Sequence, residues 1–147
     1  MRHNKVFSAA IALCMIACFT MGSVPSASAS PPTPVPVTIT AVFDSGTFPN
    51  LSGTFTTSGA LTISGVSFMH VDLNPFNGVR AHCVVTLTAS NGTGTIIIDQ
   101  QCQFATSPPK GRWEIVSGTG AYANLNGNGS LLMPPDTEAM TGFIYPH

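Results

Sequence analysis

Short runs of Val, Ile, Thr and Phe alternate with clusters of Gly, Asn, Ser and Pro from Val37 onward. No apolar repeat of about 3.6 residues persists for three turns, as an amphipathic helix would require. Brief apolar runs bounded by turn-forming residues are instead typical of strands in a β-sandwich or β-barrel, with little helix. The predicted strands are residues 35–43, 51–57, 60–64, 66–73, 79–90, 94–104, 111–117 and 127–133, with 138–145 as a further or closing strand.

The hairpin around Asn91-Gly92-Thr93-Gly94 is the best-defined unit. Strand side chains alternate between two faces, so each arm presents one inward row. If Gly92-Thr93 is a two-residue turn, Cys83 faces Cys102, whereas another turn register makes the two cysteines diagonal neighbours. Gln100 lies in an inward row, so it needs a hydrogen-bond partner or a bulge that shifts the register. The inward rows are Ala81, Cys83, Val85, Leu87 and Ala89 on one arm and Ile96, Ile98, Gln100, Cys102 and Phe104 on the other.

The N-terminal segment has the pattern of a targeting signal. A short positive head precedes an apolar run over residues 6–21, and small residues follow up to Ala29. That run is shorter than the ~20 residues a transmembrane helix usually needs. We therefore expect residues 1–29 to be a signal peptide and the protein to be secreted, extracellular or periplasmic. The alternative is a lipoprotein anchored through Cys18.

A proline-rich leader, residues 30–36, precedes a predicted single domain over residues 37–147. Proline fixes φ and lacks an N–H donor, so this leader should be extended. Cys83 and Cys102 are the cysteines that follow the signal peptide. An even count in an exported domain predicts a disulfide between them, which would stabilise the fold by ~3 kcal/mol through loop closure.

Charged residues are sparse in the predicted domain. Only Arg80, Lys110 and Arg112 are basic beyond the signal peptide, against six acidic residues. A nucleic-acid footprint needs clustered basic residues. We therefore expect no nucleic-acid partner.

His70 and Asp72 lie two positions apart on one predicted strand, so they share a face. A carboxylate-oriented imidazole is suited to acid-base catalysis or metal binding. One His and one carboxylate form an incomplete site, so a solvent-exposed pair is the favoured interpretation. Adding His82 gives the composition of a two-His, one-carboxylate iron site, but the spacing does not support it. We expect neither a metal nor a cofactor.

Two other polar pairs have alternative interpretations. Arg80 and His82 would suit an anionic ligand, yet they face outward if Cys83 faces inward. Asp99 and Glu114 have the residue types of a glycosidase carboxylate pair, but alternation places both on the solvent face. No nucleophile elbow, zinc-binding helix, phosphate loop or dinucleotide fingerprint occurs in the sequence, which lowers the expectation of an enzyme.

The segment from Trp113 to Leu131 combines a strand, the turn Gly118-Thr119-Gly120, Tyr122 and a strand with spaced glycines. It resembles a segment of the allene oxide cyclase and dirigent-like β-barrel superfamily, including its exported bacterial members. The resemblance implies an eight-stranded antiparallel barrel with a central cavity. Members are often homo-oligomers and bind small apolar or phenolic molecules.

From these observations we expect a secreted, non-catalytic binding protein for a small apolar or phenolic ligand. One alternative is a cofactor-free isomerase or cyclase, which would require a buried acid such as Asp72 or Glu114. Another is a structural or surface-interaction protein with a filled interior. The candidate cavity or core residues are Phe55, Phe68, Trp113, Tyr122 and Phe143.

Overall fold

Eight antiparallel strands follow one another in chain order and close into a barrel, in which β1 also pairs with β8. The computed structural model describes residues 32–76 and 78–145, so the predicted signal peptide lies outside the described residues. The eight-stranded, all-β prediction is confirmed, and a single 3₁₀ turn at Gly120–Tyr122 is the helical element in the described ranges. The strands are β1 (Val35–Thr47), β2 (Asn50–Gly59), β3 (Ser64–Leu73), β4 (Arg80–Ala89), β5 (Thr95–Gln103), β6 (Lys110–Gly118), β7 (Asn126–Leu132) and β8 (Thr137–Tyr145).

Burial alternates along the strands and places the apolar core inside the barrel. The predicted inward rows of β4 and β5 are buried except for Phe104, which follows the end of β5 and is 36% exposed, and Arg80 and His82 face outward as expected. An eight-stranded barrel has an interior just wide enough for packed side chains or one small ligand. The largest fully buried side chains are Trp113, Phe55, Ile39, Leu87, Ile96, Ile98, Leu131 and Met140.

The predicted strand over residues 60–64 does not form. Its backbone is instead bound locally by Thr57, whose Oγ1 donates to the Leu61 carbonyl at 2.8 Å and accepts from the Ile63 amide at 2.9 Å. The Thr57 amide also donates to the Ile63 carbonyl at 2.8 Å. Because these bonds replace ladder pairing, the segment folds back as a connection and β3 begins at Ser64.

The register of the β4–β5 hairpin also differs from the register that a two-residue turn at Gly92-Thr93 would give. Cys83 pairs with Gln100, and Ala81 pairs with Cys102. The expectation that Cys83 directly faces Cys102 is therefore wrong. The two cysteines are diagonal neighbours, which is the arrangement that the alternative register implies.

Asparagine chemistry at the hairpin tip accounts for the shift. The Asn91 Oδ1 accepts hydrogen bonds from the Thr93 amide at 3.1 Å and from the Thr93 hydroxyl at 2.6 Å. Such a side-chain turn centres the reversal on Asn91-Gly92, where Gly92 has a φ of +74°. The Ala89 amide donates to the Gly94 carbonyl at 3.1 Å, which is the last ladder hydrogen bond before the turn.

Glycines on β7 and β8 make room for Trp113 inside the barrel. A Cβ at Gly129 or Gly142 would lie 2.8 Å from the indole ring. The indole N–H donates to the carbonyls of Ser130 at 3.1 Å and Thr141 at 3.3 Å. The spaced glycines therefore allow a large aromatic side chain to approach the backbone of two neighbouring strands closely.

Candidate functional site

A polar pair interrupts the apolar interior. Gln100 on β5 and Glu138 on β8 are 0% and 1% exposed. The Gln100 Nε2 donates to the Glu138 Oε1 and also approaches the Met140 Sδ at 3.3 Å. Gln100 therefore has the hydrogen-bond partner that its inward position required, and its ladder with β4 is regular, while the β5–β6 ladder shifts register between Ile97 and Ile98.

The buried position of the Glu138 carboxyl changes its pKa. Burial raises the pKa of Glu138 from 4.5 to about 7, and the hydrogen bond from Gln100 opposes this rise. Its second oxygen, Oε2, is buried without a hydrogen-bond partner among the described residues. A group with this pKa exchanges its proton near neutral pH, and its neutral form can donate a hydrogen bond.

The two cysteines belong to the same layer. Their sulfur atoms lie 3.5 Å apart, both side chains are buried, and both are free thiols. The Cys102 Sγ lies 3.9 Å from the Gln100 Oε1. The pKa of Cys102 is raised by its hydrogen bond with Cys83 and by burial, so this thiol stays neutral. Cys102 therefore does not resemble an activated nucleophile, which needs a lowered pKa.

An apolar pocket opens at the end of the barrel where the β1–β2, β3–β4, β5–β6 and β7–β8 connections meet. We call it the mouth pocket, and its volume is about 420 Å³. Buried Glu138 reaches its wall from β8, while Phe48 and Phe104, 56% and 36% exposed, stand at the rim. Such a volume and a mostly apolar lining with a few polar groups, here Asp136, Thr137 and Glu138, are typical of small-molecule sites. The lining residues are Phe43, Phe48, Leu51, Met69, Val71, Leu73, Gly78, Phe104, Met133, Pro134, Asp136, Thr137 and Glu138.

The aromatic candidates from the sequence occupy two different environments. Phe55, Trp113 and Tyr122 are buried, at 2%, 2% and 7% exposure. Phe68 and Phe143 lie on the outer surface, at 45% and 47% exposure. None of these five side chains lines the mouth pocket.

His70 and Asp72 share the outer face of β3 but do not contact each other. The His70 Nδ1 instead lies 2.7 Å from the Asn50 Oδ1. The imidazole and carboxylate that do meet are those of His82 and Asp99, whose Nε2 and Oδ1 are 2.7 Å apart on neighbouring strands. This pair is on the outer surface and was not among the sequence candidates.

Neither Asp72 nor Glu114 points into the barrel, since both are exposed on the outer face. The buried acid is Glu138, which the sequence analysis did not select. The alternation of side chains along β8 could have identified it, because Glu138 shares an inward row with Met140 and Ile144.

The part of the chain that the structure describes contains no group of three or more His, Cys, Asp or Glu side chains arranged to hold a metal ion. Within the same residues, no helix has the length and apolar character needed to cross a membrane. No known protein family, curated protein or solved structure matches this chain. The class that its fold and site define is therefore a closed antiparallel β-barrel with an apolar mouth pocket and a buried carboxyl.

Proposed function

We propose that this protein is a secreted binding protein that holds a small apolar or phenolic molecule in the mouth pocket. The observation that carries the proposal is an apolar pocket of about 420 Å³ with one buried carboxyl in its wall. Burial of apolar ligand surface supplies affinity, and a few polar groups supply orientation. The resemblance of residues 113–131 to allene oxide cyclase and dirigent-like barrels supports the same ligand class.

Glu138 would favour ligands that place an oxygen atom next to its carboxyl group. Its Oε1 is already bound by Gln100, whereas Oε2 has no partner in the described chain. Once a side-chain movement exposes this buried oxygen to the pocket, the neutral carboxyl can donate from Oε2 to a carbonyl, hydroxyl or phenol oxygen at the inner end of the ligand. Leaving a buried polar atom unpaired costs about 1–3 kcal/mol, and a ligand that pairs it recovers that energy.

A cofactor-free isomerase or cyclase is the second candidate, and Glu138 is the observation that favours it. Such an enzyme requires a buried acid, which Asp72 and Glu114 do not provide. A carboxyl whose pKa is about 7 can both give and accept a proton at neutral pH. In this case Glu138 would move a proton to or from the atom of the substrate that the pocket presents to it.

The proposal that the protein is secreted includes a disulfide between Cys83 and Cys102. The sulfur atoms of Cys83 and Cys102 are 3.5 Å apart, and a disulfide requires about 2.05 Å. A small shift of two neighbouring strands would close this gap. In an oxidising compartment the two thiols would lose two protons and two electrons to a disulfide-forming oxidant and become one S–S bond.

Native mass spectrometry of the protein purified from the culture medium of its host tests this proposal. The protein is measured once intact and once after organic extraction, which reports carried ligand, subunit number and thiol state together. A small apolar adduct that extraction removes is the expected result. Release of a chemically isomerised product from an added ligand would support the enzyme. An empty protein that also fails to bind apolar probes would contradict both and favour a structural role.

A further inference from the structure

The cationic side chains of the described chain gather on one outer face of the barrel. Arg80 on β4 and Lys110 and Arg112 on β6 line one open groove of about 720 Å³, beside the mouth pocket. They are the only Lys and Arg residues in the ranges that the structure describes. A chain with so few charges therefore concentrates all of its described Lys and Arg side chains at one place.

The register arranges this face as two polar rows that cross three strands. In the first row, Arg80 pairs with Gln103, which pairs with Lys110. In the second row, His82 pairs with Gln101, which pairs with Arg112. Strands lie about 4.8 Å apart and residues two apart on a strand are separated by about 7 Å. The backbone positions at the two ends of each row are thus about 10 Å apart, with an amide side chain between Arg80 and Lys110 in the first row and between His82 and Arg112 in the second. We call this surface the cationic face.

Asp72 also lines this groove, but no carboxylate among the residues that the structure describes forms an ion pair with Arg80, Lys110 or Arg112. In the described ranges, Arg80 and Lys110 have no side-chain hydrogen bond or ion pair, and Arg112 makes one long bond of 3.4 Å to the Gln101 Oε1. The nearby Asp99 is instead paired with His82. Exposed guanidinium and ammonium groups that lack internal partners can pair with an external anion at little cost in lost contacts.

We propose that the cationic face binds an acidic polysaccharide, a sugar chain whose units carry carboxylate groups. Arg80, Lys110 and Arg112 pair with carboxylates that are several ångströms apart along or across the sugar chain. Arginine binds a carboxylate through two parallel N–H bonds, and lysine acts as a point charge. This surface is separate from the mouth pocket, so the inference does not depend on the proposed ligand-binding function.

The groups between the cations favour a sugar chain over other anions. The Gln101 and Gln103 side chains are exposed, and each offers donors and an acceptor that match hydroxyl groups. Phe76, 95% exposed at the rim, offers an apolar plate for the C–H face of a sugar ring. The groove has polar and apolar lining in similar amounts, whereas sites for small molecules are mostly apolar, as the mouth pocket is.

Nucleic acid fits this face less well. Its closely spaced phosphates need a larger basic cluster, and most of its affinity comes from that contact. Six acidic residues against three basic ones in residues 30–147 repel a long polyanion of high charge density. A polysaccharide with about one carboxylate per sugar or per two sugars avoids much of this repulsion.

The test is calorimetric titration of the full protein with oligogalacturonate in low-salt buffer. Dextran sulfate, neutral dextran and a single-stranded DNA oligonucleotide are the comparison ligands. We expect oligogalacturonate to bind and neutral dextran not to bind, with affinity falling as salt screens the charges. Absence of oligogalacturonate binding overturns the proposal. Tighter binding of DNA or of dextran sulfate also overturns it and shows a general polyanion surface.

Two matched variants locate the site. Arg80→Gln with Lys110→Gln removes two positive charges from the cationic face and should weaken oligogalacturonate binding about tenfold. Thr54→Glu with Thr56→Glu lowers net charge equally on the exposed face of β2 and should change affinity less than about twofold. Equal losses in both variants would show a net-charge effect and overturn the site. Thermal unfolding of both variants checks that the barrel is intact.

Discussion

Gln100 on β5 donates a hydrogen bond across the barrel interior to Glu138 on β8, and both side chains are fully buried. This contact joins strands on different sides of the barrel, since β5 and β8 are not neighbours in the sheet. It leaves the second Glu138 oxygen unpaired in the described structure. The arrangement makes ionisation of Glu138 costly for the folded state, and it leaves Oε2 as the atom that the proposed ligand would pair with.

The first prediction concerns the pH dependence of stability. The pKa of Glu138 is raised to about 7 in the folded state from 4.5. Below pH 4.5 the carboxyl is neutral in both states, so it has no effect. As pH rises from 4.5 to about 7, the unfolded state loses the proton and the folded state holds it. The free energy of unfolding should therefore fall by about 3 kcal/mol across this window and level off above it.

Glu138→Gln should remove this decline, because the amide stays neutral at every pH. Urea unfolding at several pH values between 4 and 8 measures it. The stability of the variant relative to wild type should increase steadily between pH 4.5 and about 7. Glu114→Gln is the control, since Glu114 is exposed, and it should retain the wild-type profile. A constant difference between Glu138→Gln and wild type would contradict the account of the buried carboxyl.

The second prediction concerns the mouth pocket. Phe104 stands at its rim and is 36% exposed, so Phe104→Ala removes ligand contact while leaving the core intact. Loss of part of a buried phenyl surface should weaken binding of the neutral dye N-phenyl-naphthylamine about tenfold. Fluorescence titration of the dye measures this change.

Phe143→Ala is the matched control for Phe104→Ala. Phe143 is 47% exposed and lies outside the pocket, so its removal should leave dye affinity unchanged. If both variants bind the dye as wild type does, the dye binds elsewhere. If only Phe143→Ala weakens binding, the site lies on the outer surface.

The barrel could be predicted from the sequence because alternation is a local property of each strand. The inward rows containing Cys83 and Gln100 follow from the period of two alone. The errors arose where side chains bind the backbone over a few residues. Thr57 forms hydrogen bonds with the segment that follows β2, and the hydrogen bonds of Asn91 centre the β4–β5 turn on Asn91-Gly92. Both residues compete with ladder pairing in ways that alternation does not encode.

The candidate site was harder to predict, because Glu138 follows the turn Pro134-Pro135-Asp136 and an acid beside a turn is usually exposed. Its inward position follows from its row with Met140. Its partner Gln100 lies 38 residues away in sequence, and only closure of the barrel brings the two together. The mouth pocket likewise depends on four connections that are distant in sequence.

The third prediction tests the packing of Trp113. A Cβ at Gly142 would clash with the Asn128 carbonyl oxygen and would lie 2.7 Å from the Gly129 Cα and 2.8 Å from the indole ring. Neither strand can move away without disturbing the ladder between β7 and β8, so Gly142→Ala should cost about 1–3 kcal/mol. Thr141→Ala, on the exposed face of the same strand, should cost clearly less. Urea unfolding measures both variants, and equal effects would show that the close approach of β8 to β7 and Trp113 does not require this glycine.

The last prediction concerns the two thiols. If export joins Cys83 and Cys102, the oxidised protein should be more stable than the reduced protein, because the bond closes a loop of about twenty residues in the unfolded chain. Loop-closure entropy gives about 3 kcal/mol, less any strain from drawing diagonal positions together. Mass spectrometry after alkylation reports the thiol state, and urea unfolding with and without reductant reports the stability difference.

The double variant Cys83→Ala with Cys102→Ala separates the bond from the packing of the sulfur atoms. Its stability should not change with reductant, whereas wild-type stability should fall when reductant is added. Two thiols that alkylate quantitatively in protein from the culture medium would contradict the disulfide. The 3.5 Å contact between the sulfur atoms would then be a packed pair of neutral thiols, in agreement with the raised pKa of Cys102.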